Sequence, residues 1–343
     1  MAPGRPVARV LGHRWLVAVH HRCRPRHLRQ KPAETRQLAL TTPVEIGMPD
    51  AQPTREERGA CIACKRSSPP SLCYKCWHAV AVNRYLLDNR RPEAGERFAA
   101  LAELFDPWTF RHLDDVGLGE GWRCWEVGAG GVSVPYGLAE RVGPSGRVLA
   151  TDIDVSWTEP AAGGVLEVRR HDVISDPPPA ETFDLVHARL VLVHLKDRAA
   201  ALRVMIDALR PGGWLVIEDA DPSLQPLACP DERGPAEELA NRLRTRIRTL
   251  LAERGADLAY GRTLPRLLRE SDLEDVSAEA YFPIGSRACV ILEAATIQHV
   301  RDQLLAAELA TPEEIETHLT NLASGDLHLM LAPMITAWGR KPT

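Results

Sequence analysis

The most constraining feature of this sequence is the order strand, glycine turn, helix, strand and acid between Trp122 and Asp152. The apolar run from Trp122 to Val127 predicts a buried strand, and a glycine-rich turn begins directly after it at Gly128. Glycine lets a backbone approach a ligand without a Cβ in the way, and the following helix directs its positive end towards that ligand. This order predicts one half of a nucleotide-binding α/β sheet, with Asp152 at the end of the second strand.

The turn departs from the dinucleotide-binding pattern at one position. That pattern is G-x-G-x-x-G, whereas here Gly128 and Gly130 are followed by Ser133 instead of a third glycine. We expect Ser133 to be the N-cap of the next helix, with Pro135 in its first turn. Asp152 is expected to accept hydrogen bonds from the two ribose hydroxyls. The turn is therefore predicted to bind a nucleoside without phosphates.

The same turn resembles motif I of the class I S-adenosylmethionine-dependent methyltransferases, which reads acid-x-Gly-x-Gly-x-Gly. These positions fall on Glu126, Gly128, Gly130 and Val132, so that the third glycine is missing from its usual position. Three later segments resemble the same superfamily in order: a strand that ends in an acid, a strand with a turn into a helix, and an L-x-P-G-G sequence before a strand. These segments are Val165–Val173, Phe183–Leu195 and Leu209–Asp219.

The resemblance implies an α/β fold with a Rossmann-like, seven-stranded, mostly parallel sheet of order 3-2-1-4-5-7-6 and helices on both faces. It also implies S-adenosylmethionine as the cofactor. The residues that the resemblance assigns to cofactor binding are Glu126, Gly128, Ala129, Gly130, Asp152, Ile153, Asp172, Val173 and Arg189.

Methyl transfer requires little of side chains, because the sulfonium of this cofactor is already an activated leaving group. The enzyme must align the acceptor and exclude water, and a general base helps when the acceptor is a hydroxyl or a protonated amine. Candidate bases follow the fourth and fifth strands, where open α/β sheets bind their ligands: His194, Glu218 and Asp219. The competing interpretation is that His194 caps the next helix and that the two carboxylates hydrogen-bond the loop.

Residues 1–60 are predicted to be a basic, largely disordered leader. Residues 1–31 contain eight Arg and Lys residues and no acid, and prolines interrupt any apolar periodicity. Nucleic-acid binding and targeting are the alternative interpretations of this segment, and Met48 is a candidate for the physiological start.

Two C-x-x-C pairs make residues 61–80 a candidate zinc-binding segment. Four thiolates at such spacing suit a tetrahedral structural zinc ion in a reducing compartment. The connector of eight residues is short for a zinc ribbon, so incidental cysteines in a leader remain an alternative, as does a disulfide, which the cytosol disfavours. The predicted metal ligands are Cys61, Cys64, Cys73 and Cys76.

Residues 84–343 are predicted to form the methyltransferase domain. Its expected parts are cap helices at 84–120, a cofactor-binding core at 121–225, and substrate-covering helices with the last strands at 226–343. Apolar periodicity and turn residues predict helices over 93–104 and 109–116, separated at Pro107, then 235–253, 263–270 and two within 289–324, with strands over 276–282 and 330–338.

A small-molecule acceptor, methylated on oxygen or nitrogen, is favoured because helices at 237–253 and 289–324 can cover a closed pocket. The alternatives are an RNA methyltransferase with an N-terminal zinc module and a noncatalytic cofactor-binding homologue. The net charge of −4 gives no polyanion signal, and Asp176-Pro177-Pro178-Pro179 lacks the aromatic residue that would stack a flipped base. No apolar stretch approaches the roughly 20 residues of a membrane span. We therefore expect no nucleic-acid or membrane partner, a cytoplasmic location, and a homodimer as one candidate assembly.

Overall fold

The computed structural model describes residues 86–87 and 89–343. The predicted leader at 1–60 and the predicted zinc ligands Cys61, Cys64, Cys73 and Cys76 lie outside the described residues. The strands of the described part, in chain order, are β1 (Arg123–Val127), β2 (Arg147–Asp152), β3 (Leu166–Arg170), β4 (Phe183–Arg189), β5 (Leu209–Ala220), β6 (Glu274–Tyr281) and β7 (Met334–Arg340).

These strands form one sheet of order β3-β2-β1-β4-β5-β7-β6. The first five strands pair in parallel, and β7 runs antiparallel to both β5 and β6. The predicted fold class, a Rossmann-like and mostly parallel α/β sheet with this strand order, is confirmed. Parallel strands meet with their carboxyl ends at one edge, so the residues that follow β1 to β5 share that edge.

The central strands are apolar on both faces because helices cover both. Successive residues of β1 alternate between two apolar clusters: Cys124 packs with Leu138 and Val148, whereas Trp125 packs with Leu149 and the β4 residue Phe183. This alternation follows the two-residue period of a strand, and two covered faces explain why the strands read as continuous apolar runs.

The helices of the described part are α1 (Glu93–Asp115), α2 (Ser133–Val142), α3 (Arg198–Asp207), α4 (Pro235–Glu253), α5 (Leu264–Glu270), α6 (Arg287–Ala306) and α7 (Pro312–Ser324). The prediction for 235–253 coincides with α4, and the two helices predicted within 289–324 are α6 and α7. Helix α1 packs against α6, and apolar residues of α4, α6 and α7 form a cluster of their own. Within the described residues, three short 3₁₀ turns connect other elements, at Glu159–Ala161, Leu192–His194 and Gly261–Thr263.

The prediction that Pro107 separates two helices is wrong. Helix α1 continues through it, with Pro107 inside the helix. Proline removes one intrahelical hydrogen bond and normally ends or kinks a helix. Here Leu104 and Phe105 before the proline and Thr109 and Leu113 after it are all buried, so tertiary packing on both sides keeps the segment helical.

Two other boundaries differ from the predictions. Ser133 is the first residue of α2 and not its N-cap, which is Val132. The last strand begins at Met334 instead of 330, because Pro333 has no N–H to donate to a sheet ladder. Met330 pairs only through an isolated bridge outside the strand.

Within residues 86–343, apart from 88, no helix combines the length and the apolar character that crossing a membrane requires.

Candidate active site

A cleft of about 590 Å³ opens at the carboxyl ends of β1, β2 and β4. It is lined by the glycine turn after β1, by residues that follow β2, β3 and β4, by the first half of α1 and by the end of α4. Open α/β sheets bind ligands at this edge, because strand-end side chains and helix N-termini converge there. The cleft is therefore the candidate active site.

The glycine turn is packed too closely for side chains at two positions. Gly128 and Gly130 have φ angles of 67° and 57°, a region that residues with a Cβ rarely adopt. A Cβ on Gly128 would lie 2.4 Å from Val191 Cγ2, and one on Gly130 would lie 2.8 Å from the ring of Phe98. The amide of Ala129 donates to a carbonyl of β2 at 2.9 Å. The turn therefore presents backbone to the cleft, as the sequence predicts.

Asp152 ends β2 at the cleft and holds the glycine turn in place. Its carboxylate accepts hydrogen bonds from the amides of Gly130 and Asp154, both at 2.9 Å. Burial raises its pKa. Each carboxylate oxygen keeps a second lone pair that can accept a ligand hydroxyl. The next residue, Ile153, lines the cleft with 54% of its surface exposed.

Asp172 and Val173 line the cleft after β3. The Asp172 carboxylate accepts a hydrogen bond from the Ile174 amide at 2.9 Å. Although burial opposes it, hydrogen bonding by Ile174 and Ser175 lowers the pKa of Asp172. Ile174 also lines the cleft, half exposed. An acid and an exposed isoleucine thus line the cleft at the end of β2 and again after β3. This pair of groups suits a flat ring that has hydrogen-bond donors at its edge.

Arg189 lines the cleft at the end of β4. Its Nη1 donates to Asp106 Oδ1 at 2.8 Å and to Thr109 Oγ1 at 3.0 Å, and both partners belong to α1. These contacts attach the helix to the sheet and compensate the Arg189 charge within the protein.

Glu126, His187 and Glu218 form a buried row of charges across β1, β4 and β5. The Nδ1 atom of His187 lies 2.5 Å from Glu126 Oε2, and its Nε2 atom lies 3.4 Å from Glu218 Oε2. None of the three side chains is more than 2% exposed. Burial opposes charge on the imidazole, but the charge and hydrogen bonds of the two carboxylates prevail and raise the pKa of His187 to about 9.

The two glutamates of this row lie behind the cleft instead of lining it. Glu218 also accepts hydrogen bonds from Thr109 and from Thr336, the latter at 2.7 Å. Although burial opposes it, His187 lowers the pKa of Glu218 to about 2, whereas burial raises the pKa of Glu126. This placement differs from the expected one. The strand register sets Glu126 directly opposite His187. The predicted cofactor ligand Glu126 and the predicted base Glu218 therefore bind within an internal network.

Asp219 is also placed away from the cleft. Its carboxyl is fully buried near the amides of Leu192 and Val193, and burial raises its pKa well above the ordinary value. Of the three predicted bases, neither Asp219 nor Glu218 therefore reaches the cavity, because their β5 positions are enclosed by β4, β7 and the turn after β4.

His194 is the predicted base that does line the cleft. Burial, together with the positive charges of Arg97 and Arg198, lowers its pKa to about 4. Its imidazole is therefore neutral at pH 7, and the lowered pKa makes it a weaker base than a free imidazole.

Several residues that line the cleft, and one residue of the buried network, were not among the predicted site residues. Arg97 and Phe98 on α1 line the cleft, and His187 organises the buried charges. The signals were present: Arg97 interrupts the apolar face of a predicted helix, and His187 stands within an otherwise apolar strand. What they contact depends on residues far away in the chain.

Among residues 86–343, with 88 excepted, no group of three His, Cys, Asp or Glu side chains is arranged to hold a metal ion. The predicted zinc ligands lie outside this range, so zinc binding by them stays a prediction.

Residues 98–278, which are more than half of the chain, match the family described as "Methyltransferase domain". Among curated proteins, "Methyltransferase str2" of Strobilurus tenacellus is 33% identical over 178 residues, which cover 50% of this chain and 62% of that protein. A phosphoethanolamine N-methyltransferase of Triticum aestivum is 26% identical over 177 residues, which cover 50% of this chain and 32% of that protein. The chain thus spans less than two thirds of the length of these relatives.

Among solved structures, phosphoethanolamine N-methyltransferase 2 of Haemonchus contortus, in complex with phosphomonomethylethanolamine and S-adenosylhomocysteine, superposes with a TM-score of 0.47. The alignment has 14% sequence identity and covers 76% of this chain and 61% of that one.

Proposed function

Because this chain belongs to the methyltransferase domain family, we propose that it is an enzyme that transfers the methyl group of S-adenosylmethionine to an oxygen or nitrogen of a small molecule. The observation that carries this proposal is the Asp152 carboxylate, which lies in the cleft beside a glycine turn whose backbone it fixes.

The cleft residues fit this cofactor. Asp152 offers lone pairs for two ribose hydroxyls, and the glycine turn leaves the backbone exposed to the neighbouring part of the cofactor. Ile153 and Ile174 offer apolar contacts to an adenine ring, with Asp172 at its edge. None of these groups is arranged as a pyrophosphate site, which agrees with the absence of a glycine at 133. Bound here, the cofactor supplies an activated methyl group on a sulfonium.

His194 is the residue that we assign to proton transfer. In the proposed reaction the sulfur–methyl bond breaks as the acceptor–methyl bond forms, and the sulfur keeps the electron pair. A hydroxyl or amine acceptor must lose one proton, and neutral His194 in the cleft wall can take it. In the proposed reaction the walls of the cleft would align the acceptor and exclude water, a proximity effect worth up to roughly 7–11 kcal/mol in favourable cases.

The size of the cleft supports a small acceptor. A volume of about 590 Å³ lies within the roughly 300–1,000 Å³ of typical small-molecule sites. Helix α1 and the end of α4 border it, whereas α6 and α7, the helices expected within 289–324 to help cover the pocket, do not line it. The name of a curated relative, phosphoethanolamine N-methyltransferase, also supports this class.

The test is transfer of label from S-adenosylmethionine carrying a tritiated methyl group, with the full chain and a metabolite extract of the producing cells. The proposal predicts labelled small molecules, which should form roughly 100- to 10,000-fold more slowly when His194→Gln replaces the wild type. Cofactor binding without label transfer to any fraction would favour the noncatalytic homologue, and label confined to RNA would favour the RNA methyltransferase.

A further inference from the structure

Several basic side chains line the cleft that contains His194. Arg97 of α1, Lys196 and Arg254 all line the cavity. Arg97 lies close enough to His194 to lower its pKa. The segment that follows α4 is attached to the start of α3, because Arg198, the first residue of α3, donates to the Gly255 carbonyl at 2.6 Å.

Arg97 is a buried cation that has no acidic partner among the described residues. Its side chain is 5% exposed, its Nη2 donates only to the neutral amide oxygen of Asn89 at 3.1 Å, and its Nε has no hydrogen-bond partner in the described part of the chain. Burying an uncompensated guanidinium is costly, and native proteins normally pair it. Arg189, by contrast, is paired with Asp106. The charge of Arg97 is therefore available to a ligand in the cleft.

Arg254 adds a second cation at the end of α4. It is partly buried, and burial lowers its pKa. Asp197 is the cleft acid nearest to His194 along the chain. It caps α3 by accepting a hydrogen bond from the Ala200 amide at 2.9 Å. Among the described residues, neither Asp197 nor Glu253, whose charge acts on Arg254, is paired with Arg97, so an anion bound in the cleft would compensate the charge of Arg97.

The acceptor is a better source of that anion than the cofactor. The cofactor does carry a carboxylate, on its methionine part, but its sulfonium is positive and would be repelled by the charges of Arg97 and Arg254. An anionic acceptor would neutralise these cations and attract the sulfonium at the same time. It would also oppose the effect of Arg97 on His194 and so raise the basicity of the proton acceptor.

We infer, building on the proposed function, that the methyl acceptor is an anion whose carboxylate or phosphate group is bound by Arg97, with Arg254 as a second contact. A guanidinium binds either group through two parallel hydrogen bonds, and lysine reproduces the charge without this geometry.

The first arm of the test measures anion binding to the full chain saturated with S-adenosylhomocysteine. Sodium benzoate and inorganic phosphate are titrated separately by calorimetry, with benzamide as the neutral probe. At least one anion should bind, benzamide should not, and Arg97→Met should weaken the anion by at least about tenfold, with Arg97→Lys intermediate. The matched control Arg242→Met, on the exposed face of α4, should bind like the wild type. Failure of both anions to bind the wild type, or equal binding by Arg97→Met, overturns the inference.

The second arm measures S-adenosylhomocysteine affinity of the same variants. Affinity within about threefold of the wild type supports the assignment of Arg97 to the acceptor. A loss of about tenfold or more would assign Arg97 to the carboxylate of the cofactor and overturn the inference. If Arg97→Met does not fold, Arg254→Met replaces it and should weaken the anion while leaving the cofactor affinity unchanged.

The third arm separates this inference from the proposed function. The metabolite extract is divided on an anion-exchange column before label transfer. Label in the retained fraction supports an anionic acceptor, whereas label only in the unretained fraction contradicts it and leaves the proposed methyltransferase activity standing. Absence of label in both fractions contradicts the proposed function. The binding measurements of the first two arms then test by themselves whether Arg97 binds an anion.

Discussion

Replacing His187 with leucine should strongly destabilise the domain, because it removes the only cation between two buried carboxylates of the described network. Glu126 at 2.5 Å and Glu218 at 3.4 Å would lose their shared partner, although Glu218 keeps the hydroxyls of Thr109 and Thr336. Breaking a buried pair by removing one partner costs roughly 3–5 kcal/mol. For a domain of this size that corresponds to a melting temperature lower by roughly 6–20 °C.

The pH dependence gives an independent magnitude for the same network. A His187 pKa of about 9 in the folded state, against 6.5 as the ordinary value, corresponds to roughly 3 kcal/mol of linked stability. Since the folded-state pKa is raised, this stability is fully present below pH 6.5 and is lost as the pH rises towards 9. The stability difference between wild type and His187→Leu should therefore be largest near pH 6.5 and should shrink towards pH 9.

The assay is urea unfolding followed by tryptophan fluorescence at several pH values. His328→Leu, at an exposed position, is the matched control and should unfold like the wild type. The double variant with Glu126→Leu removes one stranded carboxylate and should recover at least about 1 kcal/mol of the loss. A free energy of unfolding for His187→Leu within about 1 kcal/mol of the wild type at pH 6.5, or a difference that does not shrink at higher pH, would refute the charged network.

Three further outcomes are expected. Gly130→Ala should lower cofactor affinity as well as stability, since its Cβ would meet an aromatic ring. The control Gly164→Ala, at a nearly equal φ of 56° and with open space around it, should lose only stability, by roughly 1–2 kcal/mol. Equal cofactor affinity of the two variants would contradict the packing argument. His194→Gln should reduce kcat by roughly 100- to 10,000-fold with little change in cofactor affinity, while His328→Gln should be fully active; undiminished turnover by His194→Gln would remove its assignment as the base. Elemental analysis of the full chain purified without an affinity tag should find zinc near one equivalent, and negligible metal with freely reactive thiols would contradict the prediction for Cys61, Cys64, Cys73 and Cys76.

The sheet could be predicted from the sequence because its signals are local. Each central strand is an apolar run, and the residues at the strand ends, among them Gly128, Asp152 and Asp172, carry the resemblance to a known superfamily. The order of the strands follows from that superfamily, and the carboxyl-end rule then places those residues in one cleft. The continuous helix α1 was not predictable in the same way, because the buried neighbours that hold it straight past Pro107 come from other elements.

The contacts of the charged residues could not be predicted from local sequence. That Glu126 faces His187 depends on the register between β1 and β4, where one residue of slip would turn the side chain to the other face. The role of Arg97 depends likewise on α1 lying across the turn after β4, which places it beside His194. Residues that act through long-range contacts are therefore the ones that the sequence predictions misplaced or missed.

The central claim is that the cleft at Asp152 binds the nucleoside of S-adenosylmethionine, and calorimetry of cofactor binding to Asp152→Ala tests it most directly. The matched control is Asp184→Ala. Asp184 lies at the opposite edge of the sheet, where its carboxylate accepts hydrogen bonds from the Arg123 amide and the Arg210 side chain. Two charge-assisted hydrogen bonds, each typically worth about 1.5–3 kcal/mol, would be lost in Asp152→Ala, so its affinity should fall by at least about tenfold while that of Asp184→Ala stays at the wild-type value. A folded Asp152→Ala protein that binds the cofactor as tightly as the wild type would contradict the account.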